Sequence, residues 1–183
     1  MADSQTSKSV TVGAHCRHWH TSSLWLASQR IHREDQGLKP SKQQLQEFFT
    51  RDFPQANFSI DDVGERSATV RKKIAFEHLR PGGTVSGPVM MEVADTALYV
   101  AILHEIGLVA LAVTTNLNIN FLNKPVADKD LVARCQLIKV GKTLIIGDVF
   151  IYSDGQDAPV AHAVGTYSIP PKRNDHLGSV NTI

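Results

Sequence analysis

The apolar positions change period along the chain. Ser41 to Gln44 reads as a capping box, with Ser41 as N-cap, and Leu45, Phe48 and Phe49 then form one apolar helix face. Two runs of alternating character follow, FSIDDV and SATVRKKI, around Gly64-Glu65-Arg66, which predicts a hairpin. Residues Gly87 to Ile106 are apolar on nearly every side, the mark of a buried helix. In TNLNINFL, Leu117, Ile119 and Phe121 alternate with Asn116, Asn118 and Asn120, as in a half-buried strand whose apolar face packs on that helix. Strands are predicted at Asp130 to Val140, Thr143 to Tyr152 and Pro159 to Ile169, joined by turns at Val140-Gly141-Lys142 and Asp154-Gly155-Gln156, and Pro170-Pro171 ends the sheet. The pattern predicts one α+β domain, an antiparallel β-sheet wrapped around one long central helix.

One residue breaks the apolar pattern of that helix. Asp95 lies in its middle, where aspartate has poor propensity and a buried carboxylate needs a partner. No Lys or Arg lies within the helix to supply one. At about 100° per residue, Pro88, Glu92, Asp95, Thr96 and Tyr99 fall on one narrow stripe. An acidic stripe on a core helix points to a site. Its structural rival is an acid satisfied by neighbouring backbone or by Tyr99.

Composition narrows the class. With 183 residues, 42% hydrophobic and 20% charged, the chain can bury a core without metal or disulfide. Nineteen Lys and Arg against 18 Asp and Glu are too balanced for a nucleic-acid or anionic membrane surface. The run Ala97 to Leu103 is too short to span a bilayer. Cys16 and Cys135, far apart, suggest no disulfide framework and a cytoplasmic location. Ser4 to Arg33 contains no acid, and SSLWLAS is too short and polar for a signal-peptide core. His15, Cys16, His18 and His20 have metal-ligand chemistry in a spacing that fits no familiar zinc pattern, so no metal is expected. The expected organisation is a loosely ordered extension over 1–40, a domain over 41–170 and a tail over 171–183.

The element order and the string GGTVSGPVMMEVADTA resemble the hotdog-fold acyl-CoA thioesterases of the phenylacetate-degradation type. In that family the helix begins at His-Gly-Gly and carries an aspartate eight residues after the first glycine. Ser86-Gly87-Pro88 stands in place of His-Gly-Gly, and Asp95 falls at the matching position. The resemblance runs from about Leu45 to Ile169 and includes VTTNLNINFLNKP and KVGKTL. It implies a hotdog fold, an acyl-CoA substrate, no cofactor, and a homodimer or dimer of dimers with shared sites. It also implies that Thr114 is the strand hydroxyl that helps hold water. Arg80 and Ser86 replace an asparagine and a histidine that commonly position the thioester.

The chemistry also follows from the residues. Thioester hydrolysis needs a donor for the developing oxyanion and a base for water, both in reach of one carbon. Gly87 offers a first-turn amide at the positive end of the helix dipole with no side chain to block approach, and Asp95 offers the base. Eight positions separate them, about 12 Å along a helix axis, too far for one helix to serve one carbon. Two antiparallel helices related by a two-fold axis solve this, because each N-terminus then faces the other's middle. Lys124, Lys139 and Lys142 lie near predicted loop ends, where they could meet coenzyme A phosphates or simply be solvated. Two alternatives remain. His78, nine residues before Gly87 and 14 before Glu92, matches the spacing of the catalytic pair in hotdog β-hydroxyacyl dehydratases, although Gly83 and Ser86 stand where that family carries prolines. The other is a non-catalytic acyl-CoA binder. Glu92 therefore enters both readings, as a substrate-binding residue on the stripe or as the dehydratase acid.

Overall fold

The computed structural model describes residues 39–171. Helix α1 spans Lys42–Asp52 and begins at the expected capping box: the Gln44 amide donates to Ser41 Oγ at 3.3 Å and the Ser41 amide to Gln44 Oε1 at 2.8 Å. The hairpin strands are β1 (Ser59–Gly64) and β2 (Ser67–Lys72), and Arg66 in their turn adopts φ 52°. A single 3₁₀ turn at Phe76–His78 leads into a small ribbon of β3 (Leu79–Arg80) and β4 (Thr84–Val85), which the alternation did not predict because each strand is two residues long. Helix α2 spans Gly87–Ile106, as read from the sequence. Strands β5 (Val113–Phe121), β6 (Leu131–Val140), β7 (Leu144–Ser153) and β8 (Pro159–Ser168) follow.

Six strands form one antiparallel sheet in the order β1-β2-β6-β7-β8-β5. Helix α2 packs on it, chiefly against β2, β6 and β7, and buries Val93, Ala94, Ala97, Leu98, Val100, Ala101, Ile102 and Leu103. Pro88 in its first turn needs no amide partner there, and Gly107, at φ 92°, ends it. No helix of the described residues is long and apolar enough to cross a membrane.

Leu98 sets how closely helix and sheet approach. Gly147 and Gly165 face each other across β7 and β8, and the two Leu98 methyls fill the notch between them. A Cβ on Gly147 would lie 2.5 Å from one methyl, and a Cβ on Gly165 would collide with the other. The polar seam between helix and sheet is Lys72, buried at 4% exposure, which donates to the Ala56 carbonyl at 2.5 Å and to Glu92 Oε1 at 2.8 Å. The partner for the acidic stripe thus comes from β2, outside the helix.

The sheet's two edges differ. Along β1, Lys42 Nζ of α1 donates to the Asp61 carbonyl, Gln46 Nε2 to the Phe58 carbonyl, and the Ile60 amide to Gln46 Oε1. A bulge between Ile60 and Asp62 distorts that edge further. Strand β5 forms the other edge, and no described residue bonds to its outer side. Its Leu117 and Ile119 are half-buried as expected, but Phe121 is 52% exposed, because it lies at the end of an edge strand with no neighbouring strand beyond it among the described residues.

Lys39 and Pro40 are anchored on α2: Lys39 pairs with Glu105 at 2.6 Å, and the Pro40 carbonyl meets His104 Nδ1 at 2.8 Å. The tail after 171, the cluster His15, Cys16, His18, His20 and the expected extension up to residue 38 lie outside the described residues.

Two outcomes follow from this packing. Gly165→Ala should lower stability by about 1–3 kcal/mol in urea unfolding, and should cost less in a Leu98→Ala background, where the notch is empty. Burial, and then Asp148, push the Cys135 thiol up to about 12. The folded chain therefore keeps a proton that the unfolded chain loses above about pH 9, and this contribution, full below that pH, fades as pH climbs towards 12. Unfolding free energies from urea titrations should accordingly fall with pH above about 9 more steeply in the parent than in Cys135→Ala, by up to about 1.4 kcal/mol per pH unit.

Candidate active site

Asp95 is half-buried on α2, with its carboxylate turned towards the far end of the sheet. Thr114 Oγ1 donates to Asp95 Oδ1 at 2.7 Å, and the Tyr167 hydroxyl donates to the same oxygen, also at 2.7 Å. Tyr99, the partner considered from the stripe, points elsewhere and donates to the Ala110 carbonyl at 3.1 Å. The carboxylate is held by two strands rather than by its own helix.

A bulge makes this possible. Leu117 pairs with Gly165 on the inner face of the sheet, yet Thr114 pairs with Tyr167, so β5 advances three residues while β8 advances two. The extra residue is Thr115, whose hydroxyl bonds the Thr166 carbonyl at 3.1 Å. Strict alternation would put Thr114 on the outer face with Asn116, Asn118 and Asn120; the bulge returns it to the inner face, against Asp95. Tyr167 escaped the sequence reading because a tyrosine in an alternating strand looks like any core aromatic. Its only sequence signal is its place on the inner-facing row with Ala161, Ala163 and Gly165. Burial first, and Asp95 next, hold its phenol far above the ordinary tyrosine range, so it stays a donor.

Gly87 lies at the other end of β5. The Phe121 ring rests on it, 3.1 Å from where a Cβ would stand. Ser86 caps the helix with extended backbone but makes no side-chain capping bond, and its amide donates to the His78 carbonyl at 3.0 Å. The first-turn amide of Gly87 has no acceptor within the helix. Arg80 is exposed in β3. Lys124 is exposed just past β5, at the Gly87 end, while Lys142 is exposed in the β6–β7 turn, at the Asp95 end, because Leu144, Ser168 and Val113 share one row. Lys139 is the penultimate residue of β6, one residue before that turn. One chain therefore brings Asp95 and Thr114 together, with Lys142 at the same end of the sheet, and places Gly87, Ser86 and Lys124 at the other.

Glu92 is engaged by Lys72, and His78 Nδ1 accepts the Ala75 amide at 2.9 Å, closing its own 3₁₀ turn. Neither is bonded to the other.

Residues 82–160, spanning α2 and strands β5 to β7, match the profile of the thioesterase superfamily. No curated protein matches the chain significantly. Among solved structures, a provisionally assigned thioesterase from Silicibacter sp. TM1040 is 43% identical and superposes with a TM-score of 0.69, covering 75% of this chain and 97% of its own. The Escherichia coli PaaI protein of the phenylacetic acid degradation operon is 23% identical, with TM-score 0.63 over 70% of this chain and 93% of its own. A hypothetical thioesterase from Streptococcus pneumoniae, solved with coenzyme A, is 22% identical, with TM-score 0.59 over 68% and 98%. The sheet, its central helix and the relative at 43% identity lead to one conclusion: the chain belongs to the thioesterase superfamily and carries the hotdog fold of these thioester hydrolases.

Proposed function

We propose that the protein hydrolyses an acyl-CoA thioester to the free acid and coenzyme A, with Asp95 as general base and the Gly87 amide as oxyanion donor. The observation that carries this reading is the Asp95 carboxylate, set midway along a mostly apolar helix and held by donors from two strands. Water attacks the thioester carbon and gives its proton to Asp95. The oxyanion is met by the helix N-terminus, and the C–S bond breaks to release the thiolate, which takes up a proton. Of the relatives, the Streptococcus pneumoniae protein was solved with coenzyme A, which supports that class of substrate here. The exposed Lys124 and Lys142 are proposed to meet its phosphates, and Arg80 and Ser86 to position the thioester. Glu92, on the same stripe and exposed along one side, is proposed to help bind the substrate.

The active unit is proposed to be at least a homodimer, paired along β5. Among the described residues no strand lies beyond that edge, which exposes Val113 and Phe121. Within one chain Gly87 sits by Phe121, seven residues from Thr114, about 23 Å of strand. Pairing β5 with its two-fold mate sets the Phe121 end of one copy against the Thr114 end of the other, which brings Gly87 and Lys124 of one towards Asp95 and Lys142 of its mate. Each dimer then has two composite sites. The protein is proposed to work in the cytosol, where a buried free thiol such as Cys135 is stable.

Dehydration by His78 and Glu92 is less well supported, because both side chains already serve a local turn and an ion pair. Asp95→Asn should keep the fold and lose about 10²- to 10⁴-fold in thiol release across a panel of short, branched, aromatic and long acyl-CoAs. Retained activity in that variant, or loss of water from a β-hydroxyacyl-CoA that depends on His78, would overturn the assignment. A panel in which every acyl-CoA binds and none is cleaved would mark a binding protein.

A further inference from the structure

Both donors to Asp95 reach the same oxygen. Thr114 and Tyr167 each bond Oδ1, and no described residue bonds Oδ2. The Tyr167 hydroxyl also lies 3.3 Å from the Asp95 backbone carbonyl, so it spans the residue from main chain to carboxylate. With a single donor a carboxylate can rotate and exchange its oxygens. Donors from two different strands define its plane.

Tyr167 is built to stay where it is. It is 2% exposed, and its ring stacks on Tyr99 with centroids 5.9 Å apart and planes at 17°. Tyr99 is itself held edge-on by Phe49 at 5.4 Å and by its bond to Ala110. A chain of packed rings thus runs from α1 to the carboxylate, fixing the hydroxyl to within a rotamer. Two tyrosines thus stand in line behind the carboxylate: Tyr167 of β8, bonded to it, and Tyr99 of α2, stacked on Tyr167.

We propose that Tyr167 is a positioning residue for the hydrolysis: with Thr114 it occupies one oxygen of Asp95, so that the other is left aimed at the attacking water. This rests on Asp95 being the base. Oδ2 takes the water proton as the new C–O bond forms, while Oδ1 stays hydrogen-bonded throughout. Because the Tyr167 phenol keeps its proton at working pH, it serves as a donor and takes no proton itself.

The test is steady-state thiol release by the full-length protein over pH 4 to 9, with Tyr167→Phe beside Asp95→Asn. Removing the hydroxyl alone should lower kcat about 10- to 100-fold with KM little changed, as expected for a misaligned base. It should also move the acid-side fall of kcat to higher pH by about half a unit or more, because a bond to the charged carboxylate is lost. Replacing Tyr167 with 2,3-difluorotyrosine, a similar shape with a stronger donor, should move that fall the other way. Tyr167→Phe with unchanged kcat and pH profile, beside an inactive Asp95→Asn, overturns the positioning role and leaves the base in place. An active Asp95→Asn overturns the base itself. If Tyr167→Phe fails to fold, the fluorinated protein decides, and an unmoved acid limb in it overturns the proposal.

Discussion

A carboxylate halfway along a helix that otherwise buries apolar side chains must be given donors, and most of what is particular to this fold follows from how they are delivered. Thr114 reaches Asp95 only because β5 gains a residue at Thr115 and reverses its alternation. Tyr167 reaches it because β8 runs beside that bulge with its inner row otherwise made of Ala161, Ala163 and Gly165, small enough to let α2 lie close. The close approach that lodges Leu98 between Gly147 and Gly165 is the same one that brings a strand tyrosine within 2.7 Å of a helix aspartate. Packing and chemistry share one set of distances.

The second constraint is length. A helix that presents an amide at its start and a carboxylate in its third turn holds them about 12 Å apart, and the sheet does nothing to fold that distance away. Strand β5 runs between the same two ends, with Phe121 on Gly87 at one and Thr114 on Asp95 at the other. The β1 edge is closed by Lys42 and Gln46 of α1, so among the described residues the free hydrogen-bonding edge is the one that carries both halves of the candidate site. An edge of this kind is a liability in a lone chain and a means of assembly in a symmetric pair.

Much of this was legible in the sequence. The capping box at Ser41, the span Gly87–Ile106, the hairpin turns and the oddity of Asp95 all rest on local signals: side-chain caps, a change of period, and a charge where none belongs. What was not legible depends on contacts between distant segments. The bulge at Thr115 has no signature in an alternating run of Thr and Asn, and alternation alone would have turned Thr114 outward. The Lys72–Glu92 pair joins residues 20 apart, so a search for partners within the helix could not find it. Tyr167 lies 72 residues from Asp95, and only the register of β5 with β8 brings them together. The resemblance singled out Thr114 as a strand hydroxyl but held no information on the bulge that turns it to Asp95 or on the tyrosine behind it.

The claim on which the functional account turns is that Gly87 of one copy and Asp95 of its mate serve a single thioester. Co-expression of differently tagged Asp95→Asn and Gly87→Val chains, followed by isolation of the mixed dimer, tests it most directly. Each pure variant should be inactive. The mixed dimer should recover one of its two sites, and thus about half the thiol release of the parent per dimer, because one composite site then combines an intact amide with an intact carboxylate. A mixed dimer as inactive as its components, or a parent chain fully active as a monomer by light scattering, would contradict it.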